Sequence, residues 1–248
     1  MILEIDMGNT RLKWRVRDGS ISLAQGAIDI GVSFESLNDQ LLQYRDSIVR
    51  VWVASVVGDV LENRLAKWVF ALLNLHPEFA RSSAICGSVR NGYTDPSTLG
   101  VDRWLGLVAA YQCANKACVV VSCGTAITLD LVAEDGGHMG GYIAPGLKLM
   151  QASLTWGTRQ IKADDEIALL DLSPGQSTVS AIHAASAAML VGLVNNALQQ
   201  LCDTNVPQDN IELILTGGDA SKLLPFFSQA RLIPELVLDG LACVLGNQ

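Results

Sequence analysis

The chain is poor in charge. Only 17% of its 248 residues are Asp, Glu, Lys or Arg, against 50% hydrophobic, and the mean hydropathy is +0.31. Basic residues are the scarcer sign, 17 against 25 acidic ones, which gives a net charge of −8 and a pI near 4.8. An acidic surface repels nucleic acid and anionic lipid, so neither is expected as a main partner, and any bound anion needs local donors or a metal. The six cysteines (86, 113, 118, 123, 202 and 243) form no CxxC pair, so buried small hydrophobes are expected rather than a metal or redox centre. Cys123 is set apart only by its place in a turn. The three histidines (76, 138 and 183) lack metal-ligand spacing, which speaks against zinc chemistry and a catalytic histidine. No G-x-G-x-x-G follows the first strand, which disfavours a Rossmann dehydrogenase. The start, MILEIDMGN, has neither the basic region nor the cleavage site of a signal peptide. The most apolar helix, Val179 to Cys202, is interrupted by His183, Asn195 and Asn196, and its apolar run falls short of the ~18 residues a bilayer needs. A cytoplasmic protein is expected.

What the chain does have is concentrated first in EIDMGNTRLK, residues 4 to 13. An apolar strand runs into Asp6, then Gly8-Asn9-Thr10, and a second strand leaves from Leu12. Asn and Gly tolerate the positive φ of a tight hairpin, so the pattern reads as strand, turn, strand. An Asp at a strand end can hold hydrated Mg²⁺, and the N–H groups of a glycine turn can cradle phosphate. Asn9 and Thr10 add neutral donors and Lys13 a charge. An ordinary hairpin whose Asp caps its own turn has the same signature.

A second stretch, CVVVSCGTAITLDLV at 118 to 132, repeats the pattern. Laying Gly8 on Gly124 sets an offset of 116 residues (124 − 8), nearly half the chain, and places Asn9 on Thr125. Two such halves suggest a duplicated domain with a nucleotide cleft between lobes, divided as residues 1–115 and 116–248. Strand and helix patterns alternate through Val51–Val57 and Asp59–Leu75, so the class is α/β.

Between the two hairpins lies VRNGYTDPSTLGVDRWLGLVAAY, residues 89 to 111. Two turns lead into Gly100-Val101-Asp102-Arg103, which opens a helix through Trp104, Leu107 and Tyr111. Capping alone accounts for Asp102 at a helix start, but not for Arg103 beside it or Tyr93 upstream. An acid, a cation and a phenol in one loop suit recognition of a small hydroxy-acid. HMGGYIAPGLKL, from His138, reads as a tight connection where backbone comes close. Ser177 or Thr178 is a natural N-cap for the long helix, and IELILTGGDASKLL reads as strand, glycine turn and helix.

Taken in order, DMGNT (Asp6 to Thr10), NGY (Asn91 to Tyr93), GVDR (Gly100 to Arg103), CGTA (Cys123 to Ala126), GGYIAPG (Gly140 to Gly146) and TGGD (Thr216 to Asp219) resemble a type III pantothenate kinase. The resemblance implies the acetate and sugar kinase, Hsp70 and actin superfold, with two ribonuclease-H-like lobes. It implies phosphorylation of the primary hydroxyl of pantothenate by ATP, the first step toward coenzyme A, in a homodimer. It places Asp6 near Mg²⁺; Gly8, Asn9, Thr10, Arg11, Lys13 and Thr125 on ATP phosphates; and Tyr93, Gly100, Val101, Asp102, Arg103 and Thr178 on pantothenate. Asp102 is then the general base. One position departs from the family pattern. An Asp usually stands two residues before the second-hairpin glycine, helping to bind a monovalent cation such as K⁺ or NH₄⁺; here it is Ser122, so reduced or lost K⁺ dependence is expected. The alternatives are a non-catalytic regulator on the same fold and a kinase of another small hydroxy-acid.

Overall fold

The computed structural model describes residues 1–157 and 170–246. It opens on a hairpin of β1 (Ile2–Met7) and β2 (Arg11–Asp18), continued by β3 (Ile21–Asp29). A short turn of helix, α1 (Asn38–Leu41), precedes β4 (Arg50–Ser55), helix α2 (Asp59–Leu73) and β5 (Glu78–Phe79). These strands form one sheet in the order β3-β2-β1-β4-β5, antiparallel up to β1 and parallel beyond it. Short strands β6 (Ile85–Cys86) and β7 (Val89–Arg90) lead to helix α3 (Val101–Ala114). The series then repeats. Strands β8 (Cys118–Cys123), β9 (Ala126–Val132) and β10 (His138–Pro145) precede helices α4 (Leu147–Gly157) and α5 (Thr178–Cys202), then β11 (Glu212–Thr216) and β12 (Arg231–Leu232). Their sheet runs β10-β9-β8-β11-β12 with the same directions. Helix α6 (Leu236–Leu245) follows. The class is α/β, and the duplication suggested by two short hairpins extends to whole sheets.

The chain divides into two compact units. One comprises Met1–Gly87, Tyr93–Ala109 and Leu236–Gln248; the other comprises Ser88–Gly92 and Ala110–Glu235. In the first, side chains alternate along the strands as the period of two requires. Leu3, Ile5 and Met7 of β1 join Leu12, Trp14 and Val16 of β2 in one core, with Phe34, Leu65 and Trp68. The opposite face carries charge. Glu4 is fully buried, and its carboxylate meets the Arg15 guanidinium at 2.6 Å and that of Arg17 at 3.0 Å. Arg15 reaches on to Asp239 of α6 at 2.7 Å. Burial raises the Glu4 carboxyl above its ordinary range, and the hydrogen bond and charge of Arg15 pull against that rise. Beside this network, Leu238, Leu241 and Leu245 of α6 pack with Trp52, Val101 and Leu105. Gly240 permits the approach, since a Cβ there would collide with the Leu105 carbonyl oxygen.

The second unit has its own core, in which Val119, Val121, Ile127, Leu129, Leu213 and Leu215 of the sheet meet Leu190, Val194, Ala197 and Leu201 of α5. One sequence expectation changes here. The His138 segment is a strand rather than a tight connection, because it pairs along β9, with one irregularity between His138 and Gly140. Helix α5 spans 25 residues and contains an 18-residue window of mean hydropathy 1.5, so it is long and apolar enough to cross a membrane. Its polar residues include the adjacent pairs Asn195-Asn196 and Gln199-Gln200, and one of its faces packs on the sheet. All six cysteines are free thiols. Cys123 is buried and its pKa is pushed up to about 12, by desolvation first and then by the Asp219 charge, so it carries no thiolate at neutral pH.

The charged face yields a stability prediction. Removing one partner of a buried pair leaves the other uncompensated, at about 3–5 kcal/mol. Arg15→Met should therefore destabilise the protein strongly in urea unfolding, whereas Glu4→Met with Arg15→Met should restore much of the loss. Additive losses in that cycle would contradict a coupled pair.

Candidate functional site

In the first unit the site begins where β1 ends. Asp6 is half-buried and stands directly opposite Lys13 in the ladder, on the same sheet face as the Glu4–Arg15 pair. Beyond the last ladder pair, Met7 with Leu12, the chain turns through residues 8–11. The Gly8 N–H donates to the Arg11 carbonyl at 3.0 Å, and the Ile30 N–H donates to the Thr10 carbonyl at 2.9 Å. Neither Gly8 nor Asn9 adopts a positive φ, contrary to the sequence expectation. A tip of this length is commonly built on a type I turn, whose central residues keep negative φ. The Gly8 N–H is thus engaged within the hairpin, while Asn9, Thr10 and Arg11 are exposed at the tip. Arg11 pairs with Asp29 at 3.2 Å with both side chains about two-thirds exposed, an ion pair of little energetic weight.

The same unit holds the start of α3. The Gly100 carbonyl accepts the Trp104 N–H at 2.9 Å, the first bond of the helix. Asp102 Oδ1 accepts the Arg103 backbone N–H at 2.8 Å, which fixes its carboxylate against the first turn. Arg103 is buried, donates from Nη1 to the Tyr93 hydroxyl at 2.7 Å, and has its guanidinium carbon 5.6 Å from the centre of that ring. The acid, cation and phenol singled out in the sequence are therefore gathered together. The Val101 side chain lies in the core beside Trp52 and Leu105, so it can meet a ligand only through its backbone.

In the second unit three motifs converge on one turn. Gly124 donates its N–H to the Ala126 carbonyl at 3.0 Å, and Cys123 pairs with Ile127, so this tip is one residue shorter than the first. The Gly146 N–H donates to the Thr125 carbonyl at 2.9 Å, and a Cβ at Gly146 would strike the Gly124 carbonyl oxygen. From the other side the Asp219 N–H donates to the Cys123 carbonyl at 3.0 Å. Gly217, at φ +92°, approaches so closely that a Cβ would overlap the Cys123 backbone. Thr125 is left exposed at the tip. Gly146 and Gly217 were visible as motif glycines, but their shared target was not, because it is set by strand pairing far along the chain. Ser122 is flanked in the ladder by Thr128 and Thr216, a row of three neutral hydroxyl residues. At the start of α5 the N-cap is Ser177, in a capping box with Ser180, and Thr178 is the exposed first residue of the helix.

A family model for type III pantothenate kinase matches residues 2–200. The type III pantothenate kinase of Cellvibrio japonicus is 43% identical over 245 residues, covering 97% of this chain and 95% of its own. That of Pseudomonas aeruginosa strain LESB58 is 41% identical over 246 residues, covering 98% of each chain. Among solved structures, a candidate Baf family transcriptional activator from Campylobacter jejuni matches with a TM-score of 0.59 at 21% identity, covering 99% and 98% of the two chains. A candidate N-acetylmannosamine kinase from Listeria monocytogenes matches at 0.55 with 12% identity over 99% of both. The structural likenesses share the fold of the acetate and sugar kinase, Hsp70 and actin group. The sequence matches run nearly end to end, and the chain belongs to the type III pantothenate kinase family.

Proposed function

We propose that the protein transfers the γ-phosphoryl group of ATP to the primary hydroxyl of pantothenate, the first step of coenzyme A biosynthesis, with Asp102 as general base. The observation that carries this reading is the cluster at the head of α3. There a carboxylate pinned by a backbone N–H stands next to a buried guanidinium bonded to a phenol. Phosphoryl transfer is mostly alignment and charge neutralisation, with one carboxylate orienting the attacking oxygen. Tyr93, Gly100, the Val101 backbone, Arg103 and Thr178 hold pantothenate. Asp102 accepts the hydroxyl proton as the oxygen attacks, and Arg103 offsets the negative charge of the substrate carboxylate or of the transferred group. Asp6 would hold Mg²⁺, while Gly8, Asn9, Thr10, Arg11, Lys13 and Thr125 would contact the phosphates. Among the described residues no three His, Cys, Asp or Glu gather into a metal cage. Mg²⁺ retains waters and takes one or two carboxylates plus substrate phosphates. When bound, such an ion would offset the charge of the phosphates.

Two finer assignments accompany this reading. Ser122, with Thr128 and Thr216 beside it, supplies only neutral oxygens where the family pattern has a carboxylate, so dependence on K⁺ is reduced or lost. A second copy of the chain docks on the outward side of α5. There Met189 is 55% exposed beside an apolar groove of about 400 Å³, lined by Pro145, Met150, Leu154 and Ile182. The apolar lining and the homodimeric habit implied by the family resemblance both point to that occupant.

Three measurements test these roles. Asp102→Asn should keep ATP binding and the melting temperature yet lose about 10²–10⁴-fold in pantothenate-dependent kcat. Near-normal turnover would remove Asp102 from the base role. ATP consumption with pantothenate and Mg²⁺ should be nearly equal in K⁺ and Na⁺ buffers. A saturable K⁺ activation would overturn the assignment at Ser122. Analytical ultracentrifugation should find a dimer that Met189→Glu dissociates; a monomeric wild-type protein would refute the docking face.

A further inference from the structure

The buried Asp130–His138 pair has no part in the chemistry described above. The His138 side chain is completely buried and that of Asp130 is 3% exposed, with Nε2 3.0 Å from Oδ1. The ring's other nitrogen, Nδ1, faces the backbone N–H of Gly92 at 3.4 Å. A backbone N–H can only donate, so Nδ1 carries a lone pair, and the single ring proton sits on Nε2, where it is donated to Asp130. The pair is therefore an imidazole anchored by Asp130 whose Nδ1 lone pair faces one backbone amide.

That amide belongs to the residue before Tyr93. Gly92 lies so close to the first residue of β10 that a Cβ would overlap the His138 carbonyl oxygen. The segment leading to it is clasped by the turn that precedes His138. The Arg90 N–H donates to the Gly136 carbonyl at 2.9 Å, and the Arg90 guanidinium meets the Asp135 carboxylate at 2.6 Å. Gly136, at φ +80°, permits the closeness, since a Cβ there would strike the Ser88 carbonyl oxygen. Side chains alternate along β10, with His138 buried and Met139 46% exposed, and the pairing with β9 is irregular between His138 and Gly140.

We infer that Asp130 and His138 form a positioning pair that fixes the backbone of Asn91-Gly92 and so sets where Tyr93 is presented to pantothenate. Asp130 selects the tautomer, His138 holds the Gly92 N–H, and neither touches substrate. The inference rests on Tyr93 as a pantothenate contact.

Isosteric variants separate this role from plain packing. Asn at 138 retains an acceptor near the Nδ1 position but cannot reach Asp130, whereas Gln retains a donor near Nε2 and offers Gly92 nothing. His138→Gln and His138→Phe should raise KM for pantothenate about tenfold, the scale of one lost hydrogen bond that orders a loop, with KM for ATP unchanged. His138→Asn should recover most of that loss. The reverse ranking, with Gln near wild type and Asn impaired, would overturn the inference, as would equal increases in both KM values. Tyr93→Phe is the control: if it leaves KM for pantothenate unchanged, the assignment of Tyr93 fails, whatever His138 does. Should the variants not fold, ¹⁵N NMR of histidine-labelled wild-type protein still decides. The Nε2–H tautomer of His138 is required, and an Nδ1–H tautomer or an imidazolium at the pH of activity would refute it.

Discussion

A hairpin presents its tip in one place only if its strands cannot slip, and in the first sheet slippage is opposed by buried charge. Glu4 stands opposite Arg15, and two residues further Asp6 stands opposite Lys13. Because side chains alternate at a period of two, a shift by one residue would turn Glu4 into the face occupied by Leu3, Ile5 and Met7. An unpaired carboxylate among those side chains would cost several kcal/mol. The register is thereby held by a penalty for error, and the tip from Gly8 to Arg11 inherits its position. Asp239 extends the same network to α6, which ties the C-terminal helix to the first hairpin.

How much of this was legible depended on distance along the chain. The first hairpin, the helix after Gly100 and the proximity of Tyr93 to Arg103 were readable because each rests on local spacing. The sign of φ at Gly8 was misjudged because glycine merely permits a positive angle. The tip's length decides whether one is used, and length depends on where pairing stops. Gly146 and Gly217 stood out as motif glycines, yet nothing local reveals that both press on the Cys123–Thr125 turn. The pairing of Asp130 with His138 was hidden for a different reason. A buried histidine that holds a backbone amide has neither metal-ligand nor catalytic spacing to mark it. Helix α5 passes a window average that its uninterrupted apolar run does not, because that average tolerates the polar residues that break the run.

The two sheets share strand order and direction, but they have diverged in chemistry. Under the offset that lays Gly8 on Gly124, Asp6 falls on Ser122 (6 + 116), so the two residues occupy equivalent places two positions before a tip glycine. Asp6 has Lys13 and Ala54 as ladder neighbours; Ser122 has Thr128 and Thr216. The first tip is held by its own hairpin bonds. The second is held by backbone approaches from two remote glycines, which leave no room for side chains.

That neutral row has a consequence for solution behaviour. Hydroxyl groups do not ionise in the physiological range and carry no field for mobile ions to screen. The side chains of that row therefore keep one charge state from mildly acidic to mildly alkaline conditions, and the field at this strand end comes from Asp219, whose charge reaches Cys123. In the other repeat the charge lies within the ladder row itself, where Asp6 and Lys13 face each other. Two turns in equivalent places thus meet their ligands differently, one through ionised side chains of its own strands and the other through hydroxyl groups.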